Sequence, residues 1–215
     1  MLFKDFIKYV PKIEKEKLLA ADAHAKMAPL ERISFLKEMN YENRNPREAA
    51  VLMLFYPKNE VAHLALIVRN TYPGVHSSQI GFPGGKVEIE DKDLEQTALR
   101  ETHEEVGIPP HKIQIIKPFS KVYIPPSNFL VSPFMGISHE ELSFIPDFDE
   151  VKSVLEFPLF SFLDEKSITN VKMTTSYATD IEVPAFMVEK YIVWGATAMM
   201  MSELKEALKN AMGHK

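Results

Sequence analysis

The chain of 215 residues is long enough for one domain with a buried core and short for two complete ones. Apolar residues at 46% and charged residues at 26% give the balance of an ordinary globular protein, and the formal net charge of -5 argues against a broad basic face for nucleic acid. The absence of cysteine removes thiolate nucleophiles, disulfide staples and Cys-bearing zinc sites together, so any bound metal has to be held by oxygen or His.

Met1 to Lys17 mixes Lys and Glu with scattered apolar residues and lacks the continuous hydrophobic stretch of a signal peptide. The longest apolar runs, Ala49 to Pro57 and Tyr191 to Met201, are too short to span a bilayer, so no membrane contact is expected and a cytoplasmic location is the default. From Met1 to about Met39 the pattern is helical. Leu2, Phe3, Phe6 and Ile7 form one stripe, Leu30, Ile33 and Leu36 another, and Pro11 and Pro29 divide the segment into short helices. Residues 1–45 are expected to form a helical extension packed on a domain spanning 46–215.

The apolar runs Ala49 to Tyr56 and Ala62 to Val68, joined by Pro-Lys-Asn-Glu, predict a hairpin or neighbouring strands. A segment rich in turn formers, Asn70 to Gly85, follows. Next comes a helix from about Asp93 to Val106, ended by Gly107 and Pro109-Pro110. Lys112 to Lys117, Phe129 to Ile137 and Val151 to Phe157 predict strands, separated by proline-bearing loops at Pro125-Pro126 and Pro146. The final helix is predicted over about Ala196 to Met212, with Met200, Leu204, Leu208 and Met212 on its buried face and Glu203, Lys205, Glu206 and Lys209 opposite. Trp194 and Met199-Met200-Met201 fit core or a subunit interface, and the number of Met residues with the N-terminal helices is compatible with a homodimer. The order of elements predicts an α/β protein with a mixed sheet sandwiched between helices.

The stretch that carries chemistry is Gly84-Gly85-Lys86-Val87-Glu88, followed fifteen positions after Gly85 by Arg100-Glu101-Thr102-His103-Glu104-Glu105-Val106-Gly107-Ile108. On a helix Glu101, Glu104 and Glu105 fall within an arc of roughly 100°, while Leu99, Thr102 and Val106 fall together on another side. Three carboxylates so placed repel one another, and a divalent cation reverses that sign. Grouped carboxylate oxygens are hard ligands of the kind Mg²⁺ uses together with water and substrate phosphates. Glycines at 84 and 85 let backbone groups approach a metal or phosphate that a side chain would block. Such a site neutralises pyrophosphate charge and activates water for attack on phosphorus, with a nearby glutamate to take the proton. A Glu-rich helix face taken alone is most often a solvated surface, and a Gly-Gly pair a turn; their joint spacing is what points to a site.

Gly85 through Ile108 resembles the signature box of the Nudix hydrolases: Gly, five residues, Glu, seven residues, then Arg-Glu-apolar-any-Glu-Glu-any-Gly-apolar. The second half matches at Arg100, Glu101, Glu104, Glu105, Gly107 and Ile108. Asp91 stands where the first Glu belongs, one extra residue separates it from Arg100, and Thr102 replaces an apolar residue. The resemblance implies a Nudix fold and Mg²⁺ or Mn²⁺ held by Glu101, Glu104, Glu105 and a backbone carbonyl at Gly84 or Gly85. It also implies that Arg100 orients the glutamates, and that a later acid, among Asp147, Asp149 and Glu150, completes the metal site or acts as base.

The run His76-Ser77-Ser78-Gln79-Ile80-Gly81-Phe82-Pro83-Gly84-Gly85 is similar to one in the coenzyme A pyrophosphatase-like subfamily. The same subfamily shares the Thr97-Ala98-Leu99 lead-in, Ser127-Asn128-Phe129 with Pro133, and Trp194-Gly195-Ala196-Thr197-Ala198. Gly74 stands where the subfamily has Arg, and Ser78 where it has Gly. Cleavage of coenzyme A or a derivative to 4′-phosphopantetheine and adenosine 3′,5′-bisphosphate is the implied reaction. ADP-ribose, dinucleotides or (d)NTPs are the alternative substrates, and a catalytically silent nucleotide-binding module is the alternative of another class. Arg69, His76 and Phe82 are the candidate substrate contacts. Arg69 reads equally as a phosphate ligand or a strand cap, whereas His76 reads as a structural hydrogen-bonding residue more than as a phosphate contact. His103 reads as plain surface.

Overall fold

A strand with an uninterrupted apolar run buries both of its faces, and β1 (Arg47–Lys58) does so. Ala50, Leu52, Leu54 and Tyr56 enter one core cluster, while Val51, Met53 and Phe55 enter the other. The structure is a computed structural model and describes residues 1–30, 32–33, 42–70, 79–174 and 180–213.

β1 and β2 (Val61–Arg69) form the expected hairpin, but the chain reverses over Asn59 and Glu60 alone, at φ of 48° and 64°. Two left-handed residues match the twist of the flanking strands, so Pro57 and Lys58 are paired strand residues rather than turn. On one side β1 runs parallel to β7 (Phe129–Ile137). On the other, its C-terminal part pairs with β2 and its N-terminal part with β4 (Gly84–Lys86), both antiparallel. The divergence of β2 from β1 therefore opens a fork that β4 fills. β3 (Ile80–Gly81) and β8 (Val151–Pro158) pair with β2, and β5 (Gln114–Pro118) and β6 (Val122–Ile124) with β7, completing a mixed eight-stranded sheet.

One face of the sheet is covered by α4 (Leu94–Val106), whose Ala98 and Val106 join Leu52, Leu54 and Ile67. The other face is covered by α6 (Gly195–Met212) together with α1 (Phe3–Phe6) and α2 (Val10–Lys15), through Phe3, Phe6, Ile13, Leu204 and Leu208; α3 (Ala21–Ala25) packs on α6. The α/β/α sandwich expected from the order of elements is present. Pro11 opens α2 rather than breaking it, because the first turn of a helix has no use for its N–H. Leu30, placed on a buried stripe from its spacing, is 81% exposed. Leu36, on the same stripe, lies outside the described residues.

Two differences from the sequence reading have clear causes. A second sheet of β9 (Ile168–Met173), β10 (Ile181–Val188) and β11 (Tyr191–Val193) escaped it, since β9 carries exposed Asn170 and Lys172 and β10 contains Pro184. α5 (Leu159–Leu163) leads into that sheet. In α6, Glu203 and Lys205 are buried, not on a solvated face. The helix is enclosed on nearly all sides, so Met199, Met200 and Met201 are all core and only Glu206 and Lys209 keep partial exposure over that stretch. Glu203 accepts hydrogen bonds from the N–H of Ala20 (2.6 Å) and from the N–H and Oγ of Ser120 (2.9 and 2.7 Å). Lys205 donates to the Asp164 carbonyl at 3.0 Å. Among the described residues no helix is long and apolar enough to cross a membrane.

Candidate active site

α4 has ends written locally. The Asp93 carboxylate accepts the Gln96 N–H at 2.8 Å, and Gly107, at φ 73°, returns its N–H to the His103 carbonyl at 2.9 Å. A Cβ on Gly107 would also lie 2.9 Å from that of Ile145, in the loop that crosses the helix end.

Arg100 is the centre from which the site is organised. Its Nε and Nη2 donate to the two oxygens of Asp91, both at 2.9 Å, so the shorter acid and the extra residue leave the acid-to-arginine contact intact. Nη2 also reaches the Lys86 carbonyl at 2.9 Å, and Nη1 reaches Glu101 at 3.2 Å and Glu104 at 2.9 Å. Asp91 accepts in addition from the Glu88 N–H and the Thr97 hydroxyl, each at 2.9 Å. The Arg100 fork holds the Asp91 carboxyl well below the usual carboxylate range, and Asp91 in turn raises Arg100 further. The loop after β4 is thereby clamped to α4. Thr102 is buried, its hydroxyl satisfied by the Ala98 carbonyl at 2.6 Å, which is why a polar residue is tolerated at an apolar position.

That clamp presses two carboxylates against the glycines. Glu101 lies so close to Gly85 that a Cβ there would stand 2.4 Å from its carboxyl carbon. Glu105 is 2% exposed, and its Oε2 accepts the Gly84 N–H at 2.8 Å. Gly84 has φ 147° and pairs with Val51, where a Cβ would meet the Ala50 carbonyl oxygen at 2.3 Å, so no other residue fits. Burial pushes the Glu105 carboxyl up to about 7 against the opposing pull of Arg69 and the Gly84 N–H; Glu101 is raised by the same cause. Glu104 differs from both. It is 56% exposed and turned toward Arg100.

Arg69, at the end of β2, turns inward: Nη2 donates to the Gly84 carbonyl at 2.8 Å and Nη1 lies 3.1 Å from Glu105 Oε1. Periodicity carried no sign of this contact with a residue on α4. The acidic loop after β7 is laced to α4 by the Asp147 N–H on the Glu105 carbonyl at 3.0 Å. Asp147 and Asp149 close a turn on each other, whereas the charge of exposed Glu150 acts on both Glu101 and Glu105. His103 is exposed; His76, with Gly74 and Ser78, lies outside the described residues.

Among the described residues no three acidic or imidazole side chains converge as a ready-made metal cage, and Arg100 and Arg69 contact the carboxylates of Glu101, Glu104 and Glu105. The donor set nevertheless fits a hard divalent cation that takes few protein ligands. Glu105 Oε1 is buried without a hydrogen bond, Arg69 reaches both it and the Gly84 carbonyl, and Glu101 packs against Gly85.

Beside these oxygens opens a cleft of about 220 Å³ whose lining includes Arg69, Gly84, Gly85, Lys86 and Thr197. Ala49, Val51, Phe82, Phe129, Val131 and Met200 make it largely apolar. Phe82 reaches it from an otherwise buried position, and Thr197 donates to the Ile80 carbonyl at 3.0 Å. The part played by Phe129 and Val131 follows from their parallel register beside Arg47 and Ala49, which no local pattern discloses.

A family model of the NUDIX domain matches residues 44–172. The chain belongs to the Nudix family. It is similar to the uncharacterized Nudix hydrolase NudL of Enterobacter sp. (strain 638), 33% identical over 187 residues that cover 81% of this chain and 90% of that protein. NudL of Salmonella typhi is 33% identical over 180 residues, with the same coverage. Among solved structures, a MutT/nudix family protein from Enterococcus faecalis superposes with a TM-score of 0.50 at 16% identity, covering 90% of this chain and 78% of that one, a likeness of fold alone. As a Nudix hydrolase the protein acts on a small nucleoside-diphosphate-linked substrate, in a family that uses divalent metal ions.

Proposed function

We propose that this Nudix hydrolase cleaves the pyrophosphate of coenzyme A or a coenzyme A derivative, giving 4′-phosphopantetheine and adenosine 3′,5′-bisphosphate, with Mg²⁺ or Mn²⁺. The observation that carries the reading is that Gly84 and Gly85, which line a largely apolar cleft, have Glu101 and Glu105 packed directly against them. A cleft of that lining suits an uncharged, partly aliphatic arm beside the scissile linkage. The run of residues 76–85 supports the same substrate.

Glu101, Glu105 and the Gly84 carbonyl, with Glu104 at the rim, are the oxygens assigned to the cation. When bound, the cation neutralises pyrophosphate charge and lets water lose a proton near neutral pH. Arg100 positions these groups and does not touch substrate, since its donors are committed to Asp91, Lys86, Glu101 and Glu104. The bare backbone at Gly85 leaves the space that the Glu101 carboxylate occupies. Glu150, outside α4 and facing the same charges, is the acid assigned to take the proton from the attacking water. Arg69 and Phe82 line the substrate side, and the sequence motif alone assigns His76 a phosphate contact.

The test is incubation with Mg²⁺ or Mn²⁺ and a panel of coenzyme A, ADP-ribose, NADH and NTPs, with products identified by mass. 4′-Phosphopantetheine and adenosine 3′,5′-bisphosphate from coenzyme A are expected. Turnover of another panel member in preference overturns the substrate assignment. No metal-dependent product from any of them would favour a silent binding module.

A further inference from the structure

Arg69 stands where a cation is expected to stand. It ends β2 at a register shift against β8 between Val68 and Arg69, an irregularity of the kind that re-aims a side chain. Its N–H is fixed on the Gln79 carbonyl at 3.0 Å. From there Nη2 donates to the Gly84 carbonyl at 2.8 Å and Nη1 lies 3.1 Å from Glu105 Oε1. Those are two of the oxygens assigned to the cation under the proposed function, on which the following rests.

We infer that Arg69 is a placeholder for the metal, and that it couples metal entry to the arrival of pyrophosphate. Glu105 Oε1 is buried and has no hydrogen bond, so the nearby guanidinium charge compensates it. A buried carboxylate without a compensating charge is strongly unfavourable, and in the metal-free protein Arg69 supplies the positive charge beside it whenever Glu105 is ionised. The guanidinium must leave both oxygens before a divalent ion can use them. It has room to do so: the side chain is 24% exposed and lines the cleft, and a Cβ on facing Gly81 would be no nearer than 3.8 Å to Nε. Once turned into the cleft, the planar fork matches two phosphate oxygens of a pyrophosphate. Metal without substrate has to compete with Arg69, whereas metal with pyrophosphate gives Arg69 a new partner.

A purely structural arginine would behave in the opposite way, since its loss would disorder Glu105 and weaken metal binding. The experiment titrates Mn²⁺ alone into the chelator-treated full-length protein, following free Mn²⁺ by electron paramagnetic resonance. Wild type is compared with Arg69→Ala and with Arg69→Lys, whose single ammonium cannot span both oxygens. Both variants are expected to bind Mn²⁺ roughly five-fold tighter than wild type, the scale of a partly exposed ion pair. In hydrolysis assays at saturating metal, KM for the pyrophosphate substrate is expected to rise while kcat stays within a few-fold. If Arg69→Ala is too unstable to titrate, Arg69→Lys is read by the same criterion. Unchanged or weaker Mn²⁺ binding in the variants overturns the placeholder role and leaves the hydrolase reading standing. Absence of Mn²⁺ binding in wild type and variants alike also overturns the placeholder role, whereas the hydrolase reading falls only if no metal-dependent product forms from any member of the substrate panel.

Discussion

Alanine at two adjacent glycines should damage the protein in two different ways. At Gly84 a Cβ would meet backbone, 2.3 Å from the Ala50 carbonyl oxygen and 2.5 Å from Val51 Cα, on a residue whose φ is 147°. Backbone strain of about 1–3 kcal/mol and overpacking of a similar size add to roughly 4 kcal/mol. For a chain of this length that lowers Tm by roughly 8–16 °C. At Gly85 the atoms nearest the same methyl would all belong to the Glu101 carboxylate, with its carbon at 2.4 Å. A side-chain end can rotate aside for about 0.5–1.5 kcal/mol, so the fold should be nearly as stable as wild type. Displacing a carboxylate with the metal-binding role proposed for Glu101 by about 1 Å is, however, enough to lower the rate on the order of a hundred-fold. Calorimetric melting and metal-dependent hydrolysis, measured side by side, separate the two. Gly85→Ala with activity within ten-fold of wild type, or melting as early as Gly84→Ala, would refute the reasoning.

Three further outcomes follow from the geometry. Glu105 is pushed from 4.5 up to about 7 by burial, so above pH 4.5 the unfolded chain gives up its proton first and the metal-free protein loses stability as pH rises to about 7. The total is about 3 kcal/mol, measurable by urea unfolding in chelator; Glu105→Gln should flatten that slope, lower turnover by orders of magnitude and stay folded, and parallel slopes in the two proteins would contradict the account. Arg100→Lys loses the two-pronged contact with Asp91 and should cost about 1–3 kcal/mol and a large part of kcat, an expectation that near-normal kinetics would sink. Glu203→Ala strands the N–H of Ala20 and both donors of Ser120 and should destabilise by at least about 3 kcal/mol with kcat within a few-fold, so an unchanged Tm would show that these contacts matter little.

Much of the site was legible because it is local. The cap at Asp93, the stop at Gly107 and the spacing from Gly84 to Glu105 depend on bonds within a few residues, and the structure has α4 where those signals place it. The glutamate face was equally legible, but not its division of labour. Periodicity sets an angle about the helix axis and says nothing of what covers that angle. β4, brought against α4 by its pairing with β1, buries Glu105 to 2% exposure and leaves Glu104 at 56%. The same limit explains α6, where a charged stripe that reads as solvated is enclosed and Glu203 ties α3's N-terminal side to the β5–β6 loop.

The sequence by itself determined the helix, the paired glycines, the hairpin and the class of chemistry, since each rests on short-range backbone and side-chain preferences. Only the tertiary structure decided that Arg69 faces inward onto Glu105 and the Gly84 carbonyl, and that the cleft beside them is apolar. Those facts depend on how β1 forks between β2 and β4 and on the register of β7, which are distances between parts of the chain far apart in sequence.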